Sequence, residues 1–140
     1  MTHTLLIILV GLLTAIGGPT DMQGTLRNYQ CGRCGTLIRA DHTPTVEGCR
    51  SGSTHRWQDL GELGHEYYCC QRCATVVEAR QTPSTLNCPI TGKHHWNHLG
   101  QIGPVNYRCD RCSISLDCKR TPSKAGCPRG GVHQWQRTDN

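Results

Sequence analysis

Apolar positions along this chain fall into one long run followed by short bursts. The run covers residues 5–16 and is broken only by Gly11 and Thr14. It is shorter than the ~20 residues a spanning helix needs and suits the ~7 to 15 of a secretory h-region. Ala15 and Gly17 place small residues where a signal peptidase would read, although the flank MTHT carries no Lys or Arg. Residues 1–27 are therefore read as an apolar N-terminal helix with its linker. An export segment, cleaved or retained, is the first reading; a short membrane or assembly helix on the mature chain is the second, and a soluble core helix the third.

Beyond residue 20 no helical period appears. YQC ends a strand and CGRC turns tightly. The stretches TLIRA, TVVEAR and SISLDCK predict short strands, the first two rich in β-branched residues. Each leads into a Thr-Pro turn, through HTPTVEGC, QTPSTLNC or RTPSKAGC. HRWQDL, HHWNHL and HQWQRT predict closing strands.

These elements are three copies of one unit. Shifting the sequence by 39 positions superposes Cys31, Cys70 and Cys109, then Cys34, Cys73 and Cys112, then Cys49, Cys88 and Cys127. His55, His94 and His133 follow at the same offset, with Trp57, Trp96 and Trp135 two residues on and Tyr29, Tyr68 and Tyr107 ahead of the first cysteines. A period of this length without insertion or deletion marks a modular array. The modules are assigned to residues 28–61, 62–100 and 101–140. LGELG (60–64) and LGQIG (99–103) read as short, partly flexible linkers, so the modules are expected to pack on one another rather than tumble freely.

Composition shows that something other than an apolar core holds the units together. The chain has 140 residues, 11 Cys, 16 Gly and no Phe. The formal charge of +5 is unevenly placed: residues 28–66 sum to −1, 67–105 to +2 and 106–140 to +4. Three thiolates and one Zn²⁺ add −1 per filled site, which lowers the total to about +2. The basic signal then belongs to the C-terminal third.

A Cys-x-x-Cys turn offers two sulfurs to a tetrahedral ion while the chain returns with two further donors. The recurring sets are Cys31, Cys34, Cys49 and His55; Cys70, Cys73, Cys88 and His94; and Cys109, Cys112, Cys127 and His133. Each is a Cys₃His site, and zinc, three per chain, is the expected cofactor. Disulfides fit poorly, because each unit repeats three cysteines and keeps histidine at the fourth place. A redox dithiol would need a βαβ context. Haem attachment fails because Gly35, Ala74 and Ser113 follow the second cysteine. A rubredoxin-like iron site would want four thiolates. Four protein ligands close the shell, and no Asp or Glu recurs as a general base, so no catalytic residue is assigned and the chain is expected not to be an enzyme.

His and Trp two apart on a strand share a face, so each Trp is expected to roof its metal site. Arg33, Arg72 and Arg111 hold the last knuckle position and are read as cations beside a net-negative centre or as ligand contacts. Arg108, Lys119, Arg120, Lys124 and Arg129 join them as candidate contact residues. Cys69 and Cys118 are off-register, as free thiols or an incidental pair. Tyr67 is the one aromatic outside the repeat, and His95 is a rival ligand to His94.

CGRCG, CQRCA and CDRCS resemble the first knuckle of the zinc-ribbon class, also called rubredoxin-like, in which two knuckles on small β-hairpins clamp one zinc. The second knuckle departs from that pattern: CRSGSTH, CPITGKH and CPRGGVH have five intervening residues and end in His. The resemblance implies a small, metal-stabilised β fold of three tandem modules, and selects no function. The leading expectation is a structural or interaction protein presenting three zinc modules, secreted or membrane-associated through residues 5–18, with a cytoplasmic location as the alternative. A self-assembling subunit with its N-terminal helix buried between protomers comes second, and a nucleic-acid binder using the basic third module comes third.

Overall fold

In each repeat the strand entering the CxxC turn becomes the middle of a three-stranded antiparallel sheet. The computed structural model describes residues 24–138, so the apolar run and the helix expected there lie outside the described residues. All regular structure among the described residues is β: β1 Arg27–Cys31, β2 Leu37–Ala40, β3 Trp57–Cys70, β4 Val76–Ala79, β5 Trp96–Cys109, β6 Ser115–Cys118 and β7 Trp135–Arg137. No helix among these residues is long and apolar enough to cross a membrane.

In the first repeat β1 turns back as β2, with Tyr29 opposite Ile38 and Gln30 opposite Leu37. The start of β3 then pairs with the other side of β1, Cys31 opposite Trp57. Residues 28–31 are all buried, since Asn28 and Gln30 on one face of β1 meet the second repeat at Glu78 and Thr75. The outer strand β6 instead alternates exposed and buried. The second repeat uses the end of β3 with β4 and the start of β5. The third uses the end of β5 with β6 and β7. The three short stretches expected as strands thus form β2, β4 and β6, and the closing strands begin at the three tryptophans.

β3 and β5, of 14 residues each, close one repeat and form the middle strand of the next. LGELG and LGQIG are therefore the bends of continuous strands rather than loops. The cause lies in the individual residues. Asn28 pairs with Gly61 while Tyr29 pairs with Asp59, which leaves Leu60 as the extra residue of a β-bulge. Leu99 is the extra residue in the same way, between His98 and Gly100. Gly61 and Gly100 adopt φ of 117° and 137°, which side chains disfavour. Gly64 and Gly103 permit close approach, since a Cβ on either would come within 2.4 Å of the backbone of Arg80 or Lys119.

The bulges aim both leucines into the junctions between repeats, where each is only 2% exposed. Leu60 packs with Tyr68, Val77 and Ala79, and Leu99 with Tyr67, Cys69, Leu116 and Cys118. Burial of one such side chain is worth about 1.5–3 kcal/mol. The first junction adds polar ties: Asn28 Nδ2 donates to Glu78 O at 3.0 Å, and Gln30 Nε2 to Thr75 Oγ1 at 2.7 Å. Seven strands thereby form one curled sheet in the order β2-β1-β3-β5-β6, with β4 and β7 paired to β3 and β5.

Candidate metal centres

Each CxxC turn shapes its first sulfur into an acceptor of several N–H bonds. Gly35 N–H donates to Cys31 O at 2.9 Å, and Ala74 and Ser113 make the same bond to Cys70 and Cys109. All three residues take left-handed φ: 80°, 65° and 69°. Ala74 and Ser113 do so at a steric cost of about 1–2 kcal/mol, which the surrounding knuckle must offset. Cys31 Sγ accepts from the N–H groups of Arg33 and Arg56 at 3.3 Å and of Cys34 at 3.5 Å. The residue after each histidine repeats that bond: His95 N–H to Cys70 Sγ and Gln134 N–H to Cys109 Sγ, both 3.4 Å.

The loop opened by Thr-Pro delivers the remaining donors. His55 N–H bonds to Val46 O, His94 to Thr85 O and His133 to Lys124 O, each at 2.7 Å. Each tryptophan stacks on its histidine, with ring centroids 4.5, 4.5 and 4.7 Å apart. Its indole N–H is held by Thr45 O, Ser84 O or Ser123 O at 2.8–2.9 Å. The ring therefore fixes the imidazole plane and shields it from water.

Three Cys₃His clusters result, made of the residues named from the spacing, and in each the four donor atoms lie within 4.8 Å of one another. Nδ1 of the histidine is the near nitrogen: 3.6 Å from Cys34 Sγ, 3.6 Å from Cys73 Sγ and 3.5 Å from Cys112 Sγ. Cys31 and Cys49 sulfurs are 3.9 Å apart. A tetrahedral zinc with Zn–S near 2.3 Å and Zn–N near 2.05 Å has edges of about 3.8 Å for S···S and about 3.6 Å for S···N. The donor sets fit such an ion and are far too open for the ~2.05 Å of a disulfide. All eleven cysteines are free thiols.

No known family's sequence pattern, curated protein or solved structure matches the chain.

Electrostatics within the clusters favour a cation. Burial raises the Cys31 and Cys109 thiols, but the converging N–H bonds outweigh it and hold both below the ordinary value. Cys73 and Cys112 are pushed well up, first by burial and also by the neighbouring Cys70 and Cys109 sulfurs. Several thiolates can share so small a buried space only with a positive ion among them. Burial lowers the His94 pKa to about 4, which keeps the imidazole neutral, as a metal ligand must be.

The other named residues have definite places. Arg33 Nη1 donates to Thr54 O at 2.6 Å and Arg111 Nη1 to Val132 O at 3.4 Å, in both cases the residue before the histidine ligand. Arg72, Arg108, Lys119, Arg120, Lys124 and Arg129 are exposed. His95 is exposed and contributes its backbone, while His94 joins the cluster. Cys69 and Cys118 are wholly buried beside Leu99 and belong to none of the donor sets. Burial pushes their thiols up to about 12 and about 11, which makes them inert. Sequence reasoning missed Leu60, Leu99 and Tyr67 as junction residues; the signal was the Leu-Gly-x-x-Gly pattern at the repeat offset.

Proposed function

We propose that this chain is a non-catalytic structural or interaction protein, in which three zinc-ribbon-like modules, each holding one zinc, are presented as a stiff array. The observation that carries the reading is the threefold recurrence of a Cys₃His set with all four donors within 4.8 Å. Three thiolates and an imidazole at tetrahedral spacing suit zinc better than iron or a hard cation. The zinc supplies folding energy to units too small to build a core. Four protein donors leave no open position for water, and Glu78, the acid nearest to a general base in the repeat, is engaged by Arg39. Both points support a non-enzyme.

Stiffness is supported by β3 and β5, which run through the module boundaries without a loop. Export or tethering through residues 5–18 is the remaining part of the proposal. Nucleic-acid binding is a second reading, favoured by the exposure of the third module's candidate contact residues Arg108, Arg111, Lys119, Arg120, Lys124 and Arg129.

Intact-mass measurement on membrane and soluble fractions tests localisation: a soluble monomer retaining residues 1–17 would sink the export and tethering part. Chromatography on immobilised DNA tests the second reading, which is discarded if retention stays unchanged from low to moderate salt. Metal analysis tests the array itself, with three zinc per chain expected and a folded, metal-free chain decisive against it.

A further inference from the structure

The two junctions between repeats present the same corner with different charge balance. Each corner opens a groove at matching repeat positions. Arg27, Glu62 and Arg80 line the first; Glu66, Gln101 and Lys119 line the second, joined by Arg120, Thr121 and Ser123.

In the first groove the charges close among themselves. Arg27 pairs with Asp59 at 2.7 Å and with Glu62 at 3.7 Å, and Arg80 pairs with Glu62 at 3.1 Å. Two cations thus meet two carboxylates. In the second groove His98 stands where Asp59 does, and Gln101 where Glu62 does. Glu66, in the place of Arg27, takes His98 at 2.5 Å. Lys119 keeps the cation of Arg80, and Arg120 adds a second where the first groove has the neutral Gln81. Among the described residues neither Lys119 nor Arg120 has an ion-pair partner, and both are exposed at the rim.

We propose that this second groove binds the carboxylate side chain of an acidic partner peptide, which takes the part that Glu62 plays in the first groove. The inference rests on the reading of the chain as an interaction array and names the chemistry of its partner. Two cations and the hydroxyls of Thr121 and Ser123 line the groove together with Gly100. That lining suits a charged head. Glu66 at the groove disfavours a phosphate dianion more than a monoanion. Partner carboxylates at successive positions would bring it to the corner and would not require the deep cavity a small ligand needs.

The test uses the full zinc-loaded chain, isotope-labelled, with amide shifts followed as a hexaglutamate peptide is added. Hexaglutamine and a six-residue oligothymidylate serve as comparison probes. Saturable shifts centred on Gln101, Lys119, Arg120 and Thr121 are expected with hexaglutamate alone. Gln101→Glu rebuilds the closed first groove and should weaken binding about tenfold, the loss of one charge-assisted hydrogen bond. Gln101→Ala should leave it unchanged. Glu62→Gln gives the reciprocal result: it frees Arg80 and should create a second set of shifts at the first corner. Equal binding by Gln101→Glu and Gln101→Ala overturns the proposal, as does preference for the oligothymidylate or shifts confined to other residues. A folded chain with three zinc that ignores the peptide overturns the groove and leaves the array standing, whereas a chain without zinc overturns the array on which the groove depends.

Discussion

Gly64 offers a direct probe of the strand corner. A Cβ built there lies 2.4 Å from Arg80 N, 2.5 Å from Ala79 C and 2.5 Å from Arg80 Cα. Ordinary contact begins near 3.4 Å, so Gly64→Ala demands about 1 Å of relative movement, an overpacking that costs about 1–3 kcal/mol. The neighbouring strand has little freedom to move. Arg80 N–H bonds to Glu62 O at 3.3 Å, both Leu63 and Glu66 are in register with Ala79, and Ala79 itself is 1% exposed among Leu60, Tyr68 and Val77. Replacing Gly by Ala also restricts the unfolded chain, which returns about 0.4–1 kcal/mol. The net loss should be about 1–2 kcal/mol, or about 4–8 °C in Tm for a chain of this size. Thermal melts followed by tryptophan fluorescence at fixed free zinc would read it. Gly103→Ala should behave alike, because its Cβ would lie 2.4 Å from Lys119 N. Gly24→Ala is the control: its Cβ would meet only Asp41 atoms at 3.4 and 3.5 Å, and its Tm should not fall. A Gly64→Ala protein that melts with the wild type while Gly24→Ala is equally silent would refute the continuous, tightly apposed corner.

Three further expectations follow from the same contacts. Leu99→Ala should cost about 2–5 kcal/mol, since the side chain fills the second junction between Tyr67, Cys69, Leu116 and Cys118; denaturant titration measures it, and a loss below 0.5 kcal/mol, a rough threshold for surface substitutions, would contradict that packing. Acid should release zinc from the clusters, because protons compete with the ion for the thiolates and the imidazole of each set; release read with a colorimetric chelator should rise as pH falls from about 7 to about 4, and release unchanged across that range would contradict it. Cys69 and Cys118 should resist iodoacetamide in the zinc-loaded chain and react once chelator has unfolded it, as peptide mass mapping would show.

The Cys₃His clusters were legible in the sequence because donor spacing is a local constraint repeated three times. Cys31, Cys34, Cys49 and His55 needed only their register with two further copies to be recognised, and the His-x-Trp spacing placed each ring on its ligand. The junctions were less legible, because their residues act across repeats. Leu60 is apolar in a glycine-rich stretch, and its burial depends on a bulge that breaks the strand's period of two. Gly61 and Gly64 resemble linker glycines, yet one supplies a positive φ and the other a close approach. Tyr67 and Cys69 looked irregular beside Asn28 and Gln30, and Cys118 beside Ala79. Those positions are the junction itself, which is polar between the first two repeats and apolar between the last two.

Counting metal in the native protein tests the central claim most directly. Native mass spectrometry of the purified chain should show three zinc ions, with loss of all β structure when a strong chelator removes them. A chain that stays folded without metal, its eleven thiols free and its circular dichroism unchanged by chelator, would contradict the account.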